Sequence, residues 1–196
     1  QVDTNSSRYP RLFAGMLWEA NDWLTLGFSY KSESVSDLEG DYSMEYTSNF
    51  VKTMKGLQEG GLDAILPLLD GGRVNATDVE KGTVKTEYIV PQTVSFGASL
   101  QVMPDLKVNL DAKWIEYSRW DELTFSFSQN NDFLTLASVI NTLAGLDYAD
   151  PDEMRIPRKY EDTWSWAIGA EYQWNDNIVL RAGYEPRSSA IPEDRT

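Results

Sequence analysis

The sequence contains neither cysteine nor histidine. Without cysteine the chain has no disulfide and no thiolate metal site. Without histidine it lacks the commonest general base and the commonest ligand of transition metals. A Ser-His-Asp hydrolase is therefore excluded within this chain, whereas carboxylate chemistry and Ca²⁺ binding by Asp stay open. We expect no enzymatic activity, no cofactor and no metal site.

Long apolar runs and positive charge are also scarce. No stretch approaches the roughly 18 apolar residues that a membrane helix needs. The mean hydropathy of -0.43 fits a soluble protein, but it fits equally a membrane barrel with a polar lumen and polar loops. Lys and Arg number 17 against 31 Asp and Glu, for a net charge of -14. We therefore expect no nucleic-acid partner, since such sites need clustered basic residues.

The dominant pattern is the recurrence of apolar side chains at every second position. This alternation predicts β-strands with one apolar and one polar face. It occupies six segments, residues 11–19, 23–31, 93–102, 106–114, 164–174 and 178–184. The apolar face carries even-numbered residues such as Leu24, Phe96, Leu110, Ile168 and Leu180. Charged residues such as Lys113, Glu171 and Arg181 lie on the other face.

Short and long connections between these segments alternate along the chain. Three are short and polar, at 19–22, 103–105 and 175–177, and predict tight hairpins. Two are long, roughly 40–85 and 129–160. An up-and-down membrane barrel has this asymmetry, with short periplasmic turns and long extracellular loops. The apolar phase also switches between Trp120 and Leu123, which predicts a β-bulge.

Aromatic residues cluster towards both ends of the predicted strands. Those nearest the short turns are Trp18, Trp23, Tyr172 and Trp174, and those towards the other end are Tyr30, Trp114, Trp164 and Trp166. Two aromatic belts about a membrane thickness apart are typical of bilayer interfaces. The alternative is a soluble β-sandwich whose aromatic residues fill a core. The charged face suits a water-filled lumen, although the outer face of a sandwich can look similar.

Both long connections contain apolar residues at helical spacing. Leu62, Ile65, Leu66 and Leu69 share one helical face, and Pro67 would kink or end that helix. A second stripe runs through Phe133, Leu136, Val139, Ile140 and Leu143. We expect Asp132 to be the N-cap of the second helix and Gly145 to end it. The sequence thus predicts one or two short helices within 49–69 and one over 132–143.

Large apolar side chains in loops outside the membrane need something to contact. They either pack together as a lid or line a groove for a hydrophobic ligand, and both can hold at once. The candidate groove residues are Phe50, Met54, Leu57, Leu62, Ile65, Leu66, Phe133, Leu136, Val139 and Ile140. Lys52, Lys55 and Arg73 are candidates for contacting a carboxylate head group, although each also suits a solvated charge.

Several strand sequences resemble those of the FadL/TodX family of outer-membrane transporters. These are Trp23–Glu33 running on to Leu38–Gly40, Leu106–Trp114 continuing to Ser118–Leu123, and Asp162–Tyr172 followed by Leu180-Arg-Ala-Gly-Tyr184 and Ile191–Thr196. The resemblance covers nearly the whole chain apart from the interiors of the long loops. It implies an all-β, antiparallel up-and-down transmembrane barrel in the bacterial outer membrane. It also implies an N-terminal hatch, a substrate groove built by two extracellular loops, and sideways exit through the wall.

On this basis we expect residues 1–196 to form part of such a barrel, without the hatch and the last strands. Its extracellular loops would be 41–86 and 129–160, and the full-length protein would be a monomer in contact with outer-membrane lipid. The resemblance implies passive uptake of long-chain fatty acids or other hydrophobic compounds. The alternative is a β-sheet binding or structural surface module without transport, which would be freely soluble. An outer-membrane lipase is disfavoured by the lack of His and Cys.

Overall fold

The computed structural model describes residues 2–6, 9–66, 73–146 and 150–192. These residues form two compact units. The six-stranded unit comprises residues 9–35, 89–121 and 158–192, and the helical unit comprises 2–6, 36–66, 73–88, 122–146 and 150–157. The six-stranded unit contains the six-stranded sheet, and the helical unit contains most of a five-stranded sheet together with the three α-helices.

The described residues form eleven strands and three α-helices. The strands are β1 (Val2–Ser6), β2 (Phe13–Asn21), β3 (Leu24–Lys31), β4 (Ser34–Glu45), β5 (Val79–Val90), β6 (Thr93–Met103), β7 (Leu106–Ile115), β8 (Glu122–Phe127), β9 (Glu153–Pro157), β10 (Thr163–Asn175) and β11 (Ile178–Tyr184). The helices are α1 (Ser48–Glu59), α2 (Leu62–Ile65) and α3 (Asp132–Leu143). No helix in these ranges is long and apolar enough to cross a membrane.

All six strands predicted from alternation are present, and they form one antiparallel sheet in the order β11-β10-β7-β6-β3-β2. Neighbours along the chain pair through the three predicted short turns, so the sheet is a meander. In the first hairpin β2 runs on to Asn21, past the predicted end at Glu19. The reason is local, because Asn21 Oδ1 accepts a hydrogen bond from the Trp23 amide at 3.1 Å and closes a tighter turn.

The strand register places the even-numbered apolar residues opposite one another. Leu26 faces Ala98, Ala98 faces Leu110, and Leu110 faces Ile168 across the successive pairs. Cα partners in an antiparallel pair project to the same side of the sheet. The division into one apolar and one polar face is therefore a property of the folded sheet as well as of the sequence.

Arg11 ties together the ends of several strands in this unit. Its Nε donates to the carbonyl of Ser32, which follows β3, at 2.8 Å. Its Nη2 donates to the carbonyl of Pro91, which precedes β6, also at 2.8 Å. Pro91 cannot continue a strand ladder through its nitrogen. The guanidinium group thus satisfies two carbonyls where the regular pairing is interrupted.

The second sheet, in the order β1-β4-β5-β8-β9, was not anticipated from the sequence. Apart from β1, its strands occupy the flanks of the two connections predicted to be long. The predicted bulge between Trp120 and Leu123 is instead a break between β7 and β8, filled by a 3-10 turn over Tyr117–Arg119. The Asp162 carboxylate accepts from the Ser118 amide at 3.0 Å and supports this turn.

The helices agree closely with their predicted bounds. α1 begins after Thr47, whose hydroxyl accepts from the Phe50 amide at 3.4 Å, and Gly61 at φ 90° separates α1 from α2. Residues 67–69 of the first predicted helical range lie outside the described residues. α3 spans the predicted range, and Gly145 at φ 68° follows its end. The predicted N-cap is one residue off, because Asn131 and not Asp132 accepts from the Leu134 amide, at 3.0 Å.

Candidate functional site

Helices from the two long connections share one apolar cluster in the helical unit. Its buried members are Met54, Leu66, Val74, Ala76 and Val139, and Phe50, Leu57, Leu62 and Leu136 pack against them. Seven of the ten candidate groove residues are in this set. The apolar spacing in the sequence therefore identified side chains that meet in space. Val74 and Ala76 were missed because they stand in an irregular segment without periodicity.

The other three candidates, Ile65, Phe133 and Ile140, are exposed to solvent by 49%, 54% and 55%. On α3, Leu143 is exposed by 75%, and its spacing from Phe133 and Ile140 puts the three side chains within an arc of about 80°. We call Phe133, Ile140 and Leu143 the α3 stripe. Leu143 belongs to the predicted helical stripe, but the sequence did not mark it as a ligand contact.

The buried side of α3 is more polar than its exposed side. Asp132, Thr135 and Ser138 are buried there, together with Leu134 and Val139. A surface helix ordinarily turns its apolar residues inward and its polar residues to water. α3 does this only in part, since the α3 stripe faces outward. The large apolar side chains on that stripe are thus available for a contact outside the unit.

Polar residues hold the first turn of α3 in place. The two carboxylate oxygens of Asp132 accept from the amides of Asn75 and Ala76, at 2.6 and 2.7 Å. The Asp132 amide donates to Glu80 at 3.1 Å, and the Tyr46 hydroxyl donates to Glu80 at 2.7 Å. These bonds join the residues after α2, the start of β5 and the start of α3.

The three candidate head-group contacts, Lys52, Lys55 and Arg73, are all exposed. Among the described residues, none of them forms an ion pair with an acidic side chain. Their charges are therefore open to an anion, as a head-group contact requires. A solvated surface charge is exposed in the same way, so the assignment stays a prediction.

The comparison with known proteins identifies the family. Residues 2–196 match the family model described as "Outer membrane protein transport protein (OMPP1/FadL/TodX)". The chain belongs to this family. The resemblance inferred from the strand sequences is confirmed, and the family is one of outer-membrane proteins. Among curated proteins, no sequence matches the chain.

Solved structures share the fold of the chain. A Pseudomonas aeruginosa FadL homologue superposes with a TM-score of 0.64 at 24% identity, over 92% of this chain and 34% of its own. A monoaromatic hydrocarbon channel, CymD, gives 0.53 at 19% identity, covering 92% and 37%. The Ralstonia pickettii toluene transporter TbuX gives 0.53 at 16% identity, covering 90% and 35%. The chain thus spans between 34% and 37% of the length of these relatives.

Within this family fold, the six-stranded unit has a depression of about 720 Å³ on its apolar face. Its lining includes Trp18, Phe28, Phe96, Trp166 and Ile168. These residues stand at even-numbered positions, on the face that the alternation in the sequence predicts to be apolar. The depression therefore belongs to the apolar face of the sheet, and none of the candidate groove residues lines it.

Proposed function

We propose that the protein containing this chain takes up long-chain fatty acids or other hydrophobic compounds across the outer membrane by passive diffusion. The observation that carries the proposal is the outward orientation of the α3 stripe, above a face of α3 that buries Asp132, Thr135 and Ser138. Apolar surface left in water costs about 25 cal/mol per Å². A hydrophobic ligand covering Phe133, Ile140 and Leu143 would recover that free energy.

Two groups of candidate residues have different roles in this proposal. Met54, Leu66 and Val139 form the packed support, because they are buried among the helices. The ligand contacts Phe133, Ile140 and Ile65, which are exposed. Each buried methylene contributes about 0.8 kcal/mol, so about ten of them correspond to micromolar binding before the costs of association. Lys52, Lys55 and Arg73 are candidates for receiving a carboxylate head group.

The placement of the chain in the membrane is part of the same proposal. The six-stranded sheet forms a section of barrel wall, with its even-numbered apolar face on lipid and its odd-numbered face on the lumen. Residues 41–86 and 129–160 lie on the extracellular side, where they meet substrate first. The full-length protein acts as a monomer, and outer-membrane lipid covers the apolar face.

The test compares single substitutions in the full-length protein. Phe133→Asp and Ile140→Asp place a charge on the α3 stripe without disturbing the packed support. Leu66→Asp is unsuitable, because Leu66 is only 1% exposed and a charge there would disrupt the cluster whether or not it binds ligand. Val79→Asp is the matched control, since Val79 is 41% exposed in the same unit but stands outside α3.

The measurements are a titration with a fluorescent long-chain fatty acid and the rate of fatty-acid uptake by cells. Each stripe variant should weaken binding about tenfold or more, because a large side chain contributes about 1.5–3 kcal/mol when it is covered. The control should bind and transport as wild type does. If both stripe variants match wild type in the two measurements, the helices are only a lid and the ligand assignment is wrong.

A further inference from the structure

A row of small side chains with one lysine crosses the polar face of the six-stranded sheet. Gly15 of β2 pairs with Ser29 of β3, and Ser29 pairs with Ser95 of β6. Lys113 of β7 stands between Ser95 and Ser165 of β10 and pairs with both. Cα partners in antiparallel strands project to the same side of the sheet, with Cβ atoms about 4.5–5.5 Å apart. We call these five residues the serine row, in which one ammonium group lies between two hydroxyl groups.

The donors at the centre of the serine row are unused within the described part of the chain. There, no ion pair holds Lys113, and the hydroxyl groups of Ser95 and Ser165 take part in no hydrogen bond. An ammonium group has only N–H donors, and each serine hydroxyl adds an O–H donor. A carboxylate accepts from several donors at once, and its hydrogen bonds to an ammonium group are charge-assisted. The three side chains therefore offer the donors that a carboxylate needs.

Two acidic side chains stand near Lys113, and neither forms an ion pair with it. Glu185 is held by the Arg187 guanidinium group through two hydrogen bonds of 3.0 Å. Asp111 extends over Gly97 of β6, where an added Cβ atom would lie 2.8 Å from its Oδ1. The chain has 31 acidic residues against 17 basic ones, so the lack of a bound acid at Lys113 does not result from a shortage of acids.

The β2 end of the serine row is apolar. Gly15 lies between Phe13 and Leu17, which project to the same face and are exposed by 66% and 72%. Neighbouring strands are about 4.8 Å apart, so the three strand spacings from β7 to β2 place this end about 14 Å from Lys113. A cation at one end and apolar side chains at the other suit a molecule with an anionic head group and an apolar chain.

We propose that the serine row is a binding site for a fatty acid on the lumen face of the wall. Lys113 receives the carboxylate, and the acyl chain lies across Ser95 and Ser29 towards Leu17. The lumen orientation of this face rests on the proposed function, whereas the row itself rests on strand pairing. Such a site distinguishes fatty acids from uncharged hydrophobic compounds, which the apolar contacts of the α3 stripe cannot do.

The experiment uses Ala167→Cys as a reporter in the full-length protein in lipid nanodiscs. Ala167 shares the face of Ser165 on β10, and its substitution leaves the serine row intact. Labelling by an uncharged, water-soluble maleimide is timed over a laurate titration. At about ten times the dissociation constant, laurate should slow labelling about tenfold, because an occupied site excludes the reagent. The alcohol of the same chain length and acetate should each leave the labelling rate unchanged.

Lys113→Gln should reduce the slowing to about twofold at the same laurate concentration. The reason is that loss of a charge-assisted hydrogen bond weakens binding about tenfold. The matched control is Lys107→Gln, which removes the same charge from the same face of β7. Lys107 pairs with Gln101 and Glu171 in place of the two serines, so this variant should be slowed as wild type is.

An Ala167→Cys protein that resists labelling would overturn the proposal, since the polar face would then not meet water. The same conclusion would follow if laurate had no effect, if the alcohol or acetate slowed labelling equally, or if Lys113→Gln were slowed as wild type is. The reporter stands in the six-stranded unit. A failure of the α3 stripe to bind fatty acid would therefore leave the labelling result unchanged, and a failure of the serine row would leave the effects of Phe133→Asp and Ile140→Asp unchanged.

Discussion

Arg181 Nε lies 2.6 Å from Glu171 Oε2, across the neighbouring strands β11 and β10. Lys107 of β7 stands opposite Glu171 on its other side, so three charges line up on the polar face of the sheet. In the same two strands, Ile168 pairs with Tyr184, and their side chains project to the opposite face from Glu171 and Arg181. The sheet therefore presents a row of charges on one side and large apolar side chains on the other.

Cysteine labelling can establish which face meets lipid, because the chain has no cysteine of its own. Ala167→Cys and Ile168→Cys are adjacent in β10 and project to opposite faces. In the full-length protein in membranes, a water-soluble maleimide should label Ala167→Cys rapidly. It should leave Ile168→Cys largely unlabelled, since lipid excludes the reagent. Equal labelling rates at the two positions would contradict the proposed orientation.

Met54→Ala tests whether the apolar cluster holds the helical unit together. Met54 is fully buried at 0% exposure, and truncating a buried Met to Ala costs about 2–5 kcal/mol. We expect faster limited proteolysis of residues 48–66 and 132–143. Lys55→Ala changes the next exposed residue on α1 and should have little effect. A Met54→Ala protein as resistant as wild type would show that the cluster is not the support of these helices.

Arg11→Ala tests the link between strand ends in the six-stranded unit. The change removes the donor to the carbonyls of Ser32 and Pro91. A hydrogen bond from a charged donor contributes about 1.5–3 kcal/mol, so the ends of β3 and β6 should open more readily. Hydrogen exchange should rise at residues 29–33 and 92–95. The control is Lys31→Ala, which removes an exposed cation nearby and should not raise exchange at these residues. If Arg11→Ala also leaves exchange there unchanged, the link through Arg11 is dispensable.

The sequence predicted the strands well where residues close together in the chain determine their formation. The six alternating strands pair with their neighbours along the chain through short turns, so alternation and turn residues suffice to define them. β8 alternates Leu123, Phe125 and Phe127 but is only six residues long. The strands β4 and β5 lack a regular apolar alternation, as in Ser34-Val-Ser-Asp-Leu-Glu-Gly-Asp-Tyr42. Their formation depends on partners distant in sequence, which propensity does not reveal.

By itself the sequence determined the family, the two faces of the six-stranded sheet and the bounds of α3. Only the tertiary structure decided how α3 is turned. Its apolar spacing left open whether the stripe packs as a lid or contacts a ligand, and the fold buries Asp132, which accepts hydrogen bonds from the amides of Asn75 and Ala76. Those amides need acceptors once they are removed from water, and the acceptor comes from a residue over fifty positions away. The spacing of apolar residues shows only which side chains share one face of a helix. It does not show which groups elsewhere in the chain that face contacts, so it could not predict the burial of Asp132.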